Sequence, residues 1–411
     1  MMVKNILKFV LAYLLLTGVS YAQVKIVSYN LLGYPGSDTT TRNPYFRTVI
    51  SSLNPDILVV QEITSQSGVD GYLNNVMNVD RTDYSAGTFI NGPDTDNGIY
   101  FRNDIFLFLS NTPVKTALRD INEFKLVHIL TKDTLRIYSV HLKASTGSAN
   151  ELLRAAEVDS LRKVTNALHH GANFIVCGDF NIYSSNELAY QKLLQVTSGT
   201  DGKFNDPLTL TGTWNNPAYA QYHTQSPRVR SFGGGATGGM DDRFDMILYS
   251  NAVKNPGGIT YVTNSLVAYG NDGNHYNDSI NKMPNTAVSQ VIANALHYTA
   301  DHLPVYSLFT FENSTSIASG SDLVTDYSLH QNYPNPWNPV TKISFQIPKS
   351  SFVTIKVFSI LGKEIQTLIS KEMNPGTYEI SFDGSSIPGG VYFYRMYAED
   401  FTATRRMILV K

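Results

Sequence analysis

From residue 24 to about residue 311, short apolar runs alternate with stretches whose apolar positions recur at helical spacing, the pattern of an α/β domain. Residues 24–29, 56–60, 136–141, 174–177, 244–249 and 305–311 read as strands. Asn43-Pro44 supplies an N-cap and first-turn proline for a helix that runs through Leu53 and stops at Asn54-Pro55. A second helix starts at Ser148, where a capping box with Glu151 leads through Leu152, Ala155, Val158, Leu161 and Leu168 to Gly171.

Two polar, irregular insertions interrupt this pattern. Residues 212–242 hold Arg228, Arg230 and a glycine run from Gly233 to Gly239; a phosphate-cradling loop needs Gly-Lys followed by Ser or Thr, so this one reads as a flexible loop. Residues 269–286 are rich in Asn, Asp and Gly, but a calcium loop needs Glu at its twelfth position, and a solvated loop is the simpler reading. Residues 312–330 carry five Ser and no aromatic before Tyr327, which marks a linker. Beyond it, alternating strands over 342–347, 352–358, 376–382, 391–398 and 401–410 are separated by Gly- and Pro-bearing turns, predicting a small all-β, immunoglobulin-like sandwich over residues 331–411.

The N-terminus departs from both patterns. Lys4 and Lys8, the apolar run from Phe9 to Leu16 and the closing Ser20-Tyr21-Ala22 read as a cleaved signal peptide over residues 1–22, with Gln23 as the first mature residue. The run falls well short of the ~20 residues needed to span a bilayer, and no other stretch is long enough, so no transmembrane anchor is expected after cleavage. Residues 23–311 then form the main domain.

A chain of 411 residues with 42% hydrophobic and 16% charged residues excludes disorder and coiled coil. Its single cysteine, Cys177, excludes an internal disulfide and a Cys-rich zinc site, so any metal is held by oxygen or histidine. Residues 23–330 carry 21 Lys/Arg against 28 Asp/Glu, whereas residues 331–411 carry nine against six. The main body is acidic and shows no broad basic face for nucleic acid.

Chemistry-bearing residues stand where apolar strands end: Asn30, Glu62, His141, Asp179, Asn181, Asp245, Asp301 and His302. One Asp or Asn after a strand is ordinarily a turn or cap, and one strand histidine a structural residue. Together they offer four carboxylates, two amides and two imidazoles, a set suited to a hard cation beside acid–base groups. Mg²⁺ fits this set better than Zn²⁺, because it takes one or two carboxylates, keeps waters and binds phosphate oxygens; Mn²⁺ or Ca²⁺ could substitute. Phosphoester hydrolysis needs those parts.

Ser28-Tyr29-Asn30, Gln61-Glu62, Val140-His141-Leu142, Gly178-Asp179-Phe180-Asn181, Arg243-Phe244-Asp245 and Ala300-Asp301-His302-Leu303-Pro304 resemble the ordered motifs of the endonuclease/exonuclease/phosphatase superfamily, typified by DNase I. The resemblance spans residues 24–311 and implies a four-layer α/β/β/α sandwich with its site at one edge. It implies Glu62 as principal Mg²⁺ ligand with Asn30 beside it, and Asp301 supporting a metal site. Asp179 would orient or deprotonate water, Asn181 would hold a phosphate oxygen, and His302, its tautomer fixed by Asp245, would act on the scissile phosphate while His141 assists the leaving oxygen. Abasic-site endonucleases of the superfamily carry Tyr where His141 stands and an acidic residue where Leu32 stands; the chain departs from them and is closer to DNase I, bacterial sphingomyelinases and inositol-phosphate phosphatases.

Asn332-Tyr333-Pro334-Asn335-Pro336, Gly390-Val391-Tyr392 and the terminal Arg405-Arg406-Met407-Ile408-Leu409 resemble a type A sorting domain of the type IX secretion system. That implies contact with the secretion machinery and passage through periplasm and outer membrane to the surface or the medium. The expected protein is a secreted Mg²⁺-dependent phosphoesterase, first a nuclease of extracellular DNA or RNA, alternatively a phospholipid phosphodiesterase or a phosphomonoesterase. A surface binding protein without catalysis is the reading from a different class. Arg42, Arg47, Lys143, Arg154, Arg228 and Arg230 are candidate phosphate contacts scattered along the sequence. Oligomeric state stays open.

Overall fold

The computed structural model describes residues 23–255, 257–312, 326–373 and 376–411. The expected signal peptide and most of the expected linker lie outside these residues. The chain divides into two compact units, one ending at Ser314 and one starting at Thr315.

Two sheets make the first unit. In chain order the strands are β1 (Gln23–Tyr34), β2 (Ile57–Ile63), β3 (Tyr84–Ala86), β4 (Asp96–Arg102), β5 (Phe106–Val114), β6 (Ile121–His128), β7 (Thr134–His141), β8 (Phe174–Asp179), β9 (Asp245–Tyr249), β10 (Ile259–Tyr261), β11 (Val267–Ala268) and β12 (Val305–Phe311). One sheet runs β10-β12-β1-β2-β4-β3 with β11 also on β12, and the other runs β5-β6-β7-β8-β9. The helices are α1 (Thr39–Leu53), α2 (Gln66–Tyr72), α3 (Ser148–Asn166), α4 (Leu188–Leu194), α5 (Asn251–Lys254) and α6 (Gln290–Thr299).

Side-chain alternation builds the layers. A strand sends successive residues to opposite faces, and these strands are apolar on both. Ile26, Ile57, Val59, Ile137, Ile175, Cys177 and Ile247 pack between the sheets. Their neighbours Val27, Tyr29, Leu58 and Val60 turn outward onto Phe46, Val49 and Leu53 of α1 and Leu296 of α6. Tyr138, Val140, Val176, Met246 and Leu248 turn the other way onto Ala155, Val158 and Leu161 of α3 and Leu193 of α4. Three apolar seams between four layers give the α/β/β/α sandwich.

Several local expectations change. Helix α1 begins at Thr39, so Pro44 lies inside it, and Asn43 accepts a hydrogen bond from the Tyr34 hydroxyl instead of capping. Buried Arg42 anchors the early turn, donating to the backbone oxygens of Leu31, Leu32 and Thr299, which overrides the signal of the proline. The capping box at Ser148 does not form: Gly147 precedes the helix and makes no side-chain cap, and Leu152 is exposed. The 269–286 segment is not simply solvated, since Asn271, His275, Ser279 and Asn285 are buried in it.

In the second unit the strands are β13 (Ser328–Leu329), β14 (Val340–Ile347), β15 (Ser351–Ser359), β16 (Glu364–Met373), β17 (Gly376–Asp383), β18 (Gly390–Ala398) and β19 (Phe401–Leu409). They form a three-stranded sheet, β13-β14-β17, and a four-stranded one, β16-β15-β18-β19. Their inward faces meet in one core around Trp337, Ile343, Phe345, Ile355, Val357, Tyr394, Met396 and Met407. No helix among the described residues is long and apolar enough to cross a membrane.

Candidate functional site

Strand register sets the site out. His141 pairs with Asp179 across β7 and β8, and Asp179 pairs with Asp245 across β8 and β9, so three adjacent strands present a polar residue at one level. Asn30 faces Gln61 across the parallel β1 and β2, one residue before Glu62. Six of the eight residues named from the sequence lie at or beside a strand end or in the turn before β12, while Asn30 lies inside β1, four residues before its end, and Asn181 lies two residues beyond β8.

Asn30 joins the two sheets. Its amide donates to Glu62 Oε1 at 3.0 Å and to Asp179 Oδ2 at 3.3 Å, while its Oδ1 accepts from the Leu32 N–H. Glu62 Oε2 accepts from the Gly33 N–H at 3.0 Å. Burial raises the Glu62 pKa, and the nearby charge of Asp301 adds to the rise. The backbone is left-handed at Leu32, Glu62 and Asn181, with φ of 51°, 57° and 49°, a conformation that costs these residues on the order of 1–3 kcal/mol each.

Asp179 is the hub on the second sheet. Its Oδ1 accepts from the Asn181 N–H, and its Oδ2 lies 3.6 Å from His141 Nε2 and 3.5 Å from His302 Nε2. Burial, with Asp245 and Glu62 adding negative charge, pushes its pKa up to about 7 against the opposing pull of His302. His141 Nε2 also stands 3.8 Å from Glu62 Oε1. Burial, then the charges of Arg119 and His302, hold the His141 pKa well below the usual histidine value, and its Nδ1 is buried without a partner. Asn181 donates to the Leu142 carbonyl oxygen at 3.2 Å.

His302 Nδ1 donates to Asp245 Oδ2 at 2.7 Å. Burial disfavours the imidazolium, yet the carboxylates of Asp245 and Asp179 prevail and raise its pKa well above the ordinary value. Asp301 Oδ2 accepts from the Ala236 N–H at 2.6 Å, and its Oδ1 is buried without a partner. Glu62, Asn30, His141, Asp179, Asp245 and His302 thus form one contact chain. Asn181 joins it through Asp179, and Asp301 lies next to His302 in sequence, its charge acting on Glu62.

Residues 27–265, more than half of the chain, match the Endonuclease/Exonuclease/phosphatase family. The chain belongs to this family. Residues 331–411 match a Secretion system C-terminal sorting domain, so the resemblances read from the motifs hold for both parts. No curated protein matches the chain. Among solved structures, D. rerio TDP2 complexed with single strand DNA product is 16% identical and superposes with a TM-score of 0.48 over 70% of this chain and 99% of that one. The human Nocturnin catalytic domain with bound sulfate anion is 18% identical, at 0.44 over 71% and 95%. An endonuclease/exonuclease/phosphatase family protein from Bacteroides thetaiotaomicron is 15% identical, at 0.44 over 71% and 97%.

Membership of the endonuclease/exonuclease/phosphatase family makes the protein a phosphoester-hydrolysing enzyme of a class that generally depends on a divalent metal ion. The residues fit such an ion. Glu62 and Asp301 are carboxylates whose charges act on each other in a buried setting, and one Asp301 oxygen lacks any partner. No three His, Cys, Asp or Glu among the described residues converge as an all-protein cage.

Three of the six candidate phosphate contacts turn inward. Arg42 ties α1 to β1, and Arg154 donates to Glu187 and to the Lys143 and Ser145 carbonyl oxygens. Arg228 donates to the Phe232 and Gly234 carbonyl oxygens. Arg228 therefore straps the glycine run down, Ala236 of that run bonds Asp301, and the expected flexible loop is a tethered one. A β-carbon at Gly235 would come within 2.6 Å of Asp301 Oδ2, which explains the glycine.

Two residues near the site had no signal in the sequence. Arg119 lies beside the His141 and Leu142 carbonyl oxygens and pairs with Asp94 Oδ2 at 2.9 Å. Gln225 brings its side-chain nitrogen within 2.6 Å of His302 Nε2.

Proposed function

We propose that the protein is a secreted, Mg²⁺-dependent phosphodiesterase that hydrolyses extracellular nucleic acid. The observation that carries this reading is the unbroken contact chain from Glu62 through Asn30 and Asp179 to the His302–Asp245 pair. A metal ion bound at Glu62, with Asn30 and Asp301 beside it, would neutralise charge developing on the phosphate. Asp179, bonded to Asn30 and standing 3.5 Å from His302 Nε2, accepts a proton from the attacking water. His302, held cationic by Asp245 and Asp179, donates from Nε2 to a phosphate oxygen, and Asp245 fixes its orientation. Asn181 holds a second phosphate oxygen. His141, kept neutral by burial, hydrogen-bonds the leaving oxygen.

The domain division proposed with this reading is residues 23–311 for catalysis and 331–411 for export, the sorting domain implying delivery by the type IX system to the cell surface or beyond. A second reading, a small phosphomonoester or lipid phosphodiester as substrate, is favoured by the inward-turned Arg42, Arg154 and Arg228, which leave fewer cations for a polyanion. One experiment separates the readings: hydrolysis of DNA, RNA, sphingomyelin and p-nitrophenyl phosphate with Mg²⁺ and with chelator. Cleavage of nucleic acid that stops with chelator is expected, and Glu62→Ala, Asp179→Ala and His302→Ala each lower the rate ~10²-fold or more. Full activity in chelator, or wild-type turnover in all three variants, overturns the reading.

A further inference from the structure

Gln225 lies in the irregular insertion, yet its backbone is fixed on both sides. The N–H groups of Thr224 and Gln225 donate to the Asp242 carbonyl oxygen, and those of Asp241 and Asp242 donate back to the Gln225 oxygen. The Leu303 N–H donates to the Thr224 oxygen at 2.7 Å. Thr224 Oγ1 accepts from the N–H groups of Phe244 and Asp245. His223, Thr224 and Ser226 are buried, while Gln225 is half-buried. This short stretch is therefore wedged between the start of β9, which carries Asp245, and the turn that carries His302. From this wedge the Gln225 side chain reaches one particular place.

That place is the reactive edge of the imidazole. Asp245 occupies Nδ1 of His302 at 2.7 Å, and the Gln225 amide occupies Nε2 at 2.6 Å, closer than Asp179 at 3.5 Å. An amide offers a donor and an acceptor from almost the same position, so it can bond the ring nitrogen by turning over. A carboxylate there would add negative charge facing the incoming phosphate; the amide adds none.

We propose that Gln225 is a further substrate-contacting residue of the hydrolysis, an inference that rests on the role given to His302 above. In the free enzyme its amide holds the His302 ring with Nε2 facing the mouth. When a phosphoester enters, the non-bridging oxygen that accepts from Nε2 takes the place of the amide oxygen in that bond, and the Gln225 amide turns over so that its N–H donates to the same oxygen. Two donors, one from a ring fixed by Asp245 and one from a backbone-pinned amide, then converge on a single phosphate oxygen. Such paired donors stabilise charge that grows in the transition state.

The test uses the full chain with Mg²⁺ and the best substrate from the panel. Gln225→Met keeps length and removes both polar atoms; Gln225→Glu keeps shape and replaces the donor by a charge. Loss of one such donor costs about 10²- to 10³-fold in rate where it has been measured in another enzyme. For Gln225→Met a fall in kcat/KM of about 10- to 100-fold is expected, below that range because His302 remains. Gln225→Glu falls further, with a raised KM, because its carboxylate repels the phosphate. A role confined to holding His302 gives the opposite order, since Glu bonds an imidazolium better than Met does. Gln225→Met within twofold of wild type, or Gln225→Glu more active than Gln225→Met, overturns the proposal. Thermal melting of both variants accompanies the kinetics, and if the Met variant fails to fold the isosteric Glu variant decides alone. His302→Ala runs alongside: if it stays active, the reading of the site fails, whereas an inactive His302→Ala with wild-type Gln225 variants fails this inference only.

Discussion

The two units solve the problem of burying polar groups in opposite ways. Among the described residues of the C-terminal unit no Asp, Glu, Lys, Arg or His is buried, and its ion pairs, such as Lys342–Glu379 and Lys356–Glu364, lie on the surface where such pairs contribute little. The catalytic unit buries Arg42, Arg154, Arg228 and Arg243, each with hydrogen-bonding partners, and buries Asp179, Asp245 and His302 together. Burying a charge is costly unless it is paired. One unit accepts that cost around its chemistry, and the other keeps its charged groups out of its apolar core.

The sharpest way to break this contrast is to remove one buried charge at the site. Asp245→Asn keeps shape and can still accept from His302 Nδ1, so folding should hold while kcat falls by ~10²- to 10⁴-fold; equal kcat would show that the buried pair is only structural. Trp337→Ala does the reverse. It hollows the C-terminal core at a cost of about 3–5 kcal/mol, read as a lower melting transition for that unit, with kcat/KM unchanged. A drop in kcat/KM would show that the units are coupled.

A smaller effect sharpens the comparison away from the site. Burial alone would raise the Asp272 pKa, but the N–H groups of Thr286 and Asn274, with His275, bring it down to about 2. A depressed carboxylate stabilises the fold above the unfolded value near 3.9 and loses that contribution as pH falls toward 2. The shift corresponds to on the order of 2 kcal/mol. Asp272→Asn should therefore lower stability at pH 7 and flatten its decline between pH 4 and pH 2, measured by urea unfolding. An unchanged slope would assign acid sensitivity to other groups.

The strands that carry the site were legible because they are buried on both faces, so they appear as continuous apolar runs ending in polar motifs. Strands β3 to β6 were not. The first spans three residues, β4 opens with Asp96-Asn97-Gly98, which looks like a turn, β5 turns Leu107 and Leu109 outward so that it lacks the apolar-in, polar-out alternation, and β6 carries Glu123 and Lys125 on its less buried face. Edge strand β16 is mostly exposed and hid for the same reason. The eight polar residues could be named because each adjoins such a run. Gln225 could not, because its contact with His302 crosses 77 positions and its own segment has no periodicity.

Between the sheets, just below the site, the apolar seam gives way to a file of uncharged polar side chains. Gln61 accepts from Ser28 and donates to Ser139, which donates to Asn97; Asn97 donates to Asn122, and Asn122 to Asn111. The file crosses from sheet to sheet three times, at Gln61–Ser139, Ser139–Asn97 and Asn97–Asn122. Oily surfaces tolerate sliding, but these directional bonds break all at once if one sheet shifts against the other. Because Glu62 rides on one sheet and Asp179 on the other, this file of bonds keeps the two halves of the site in register.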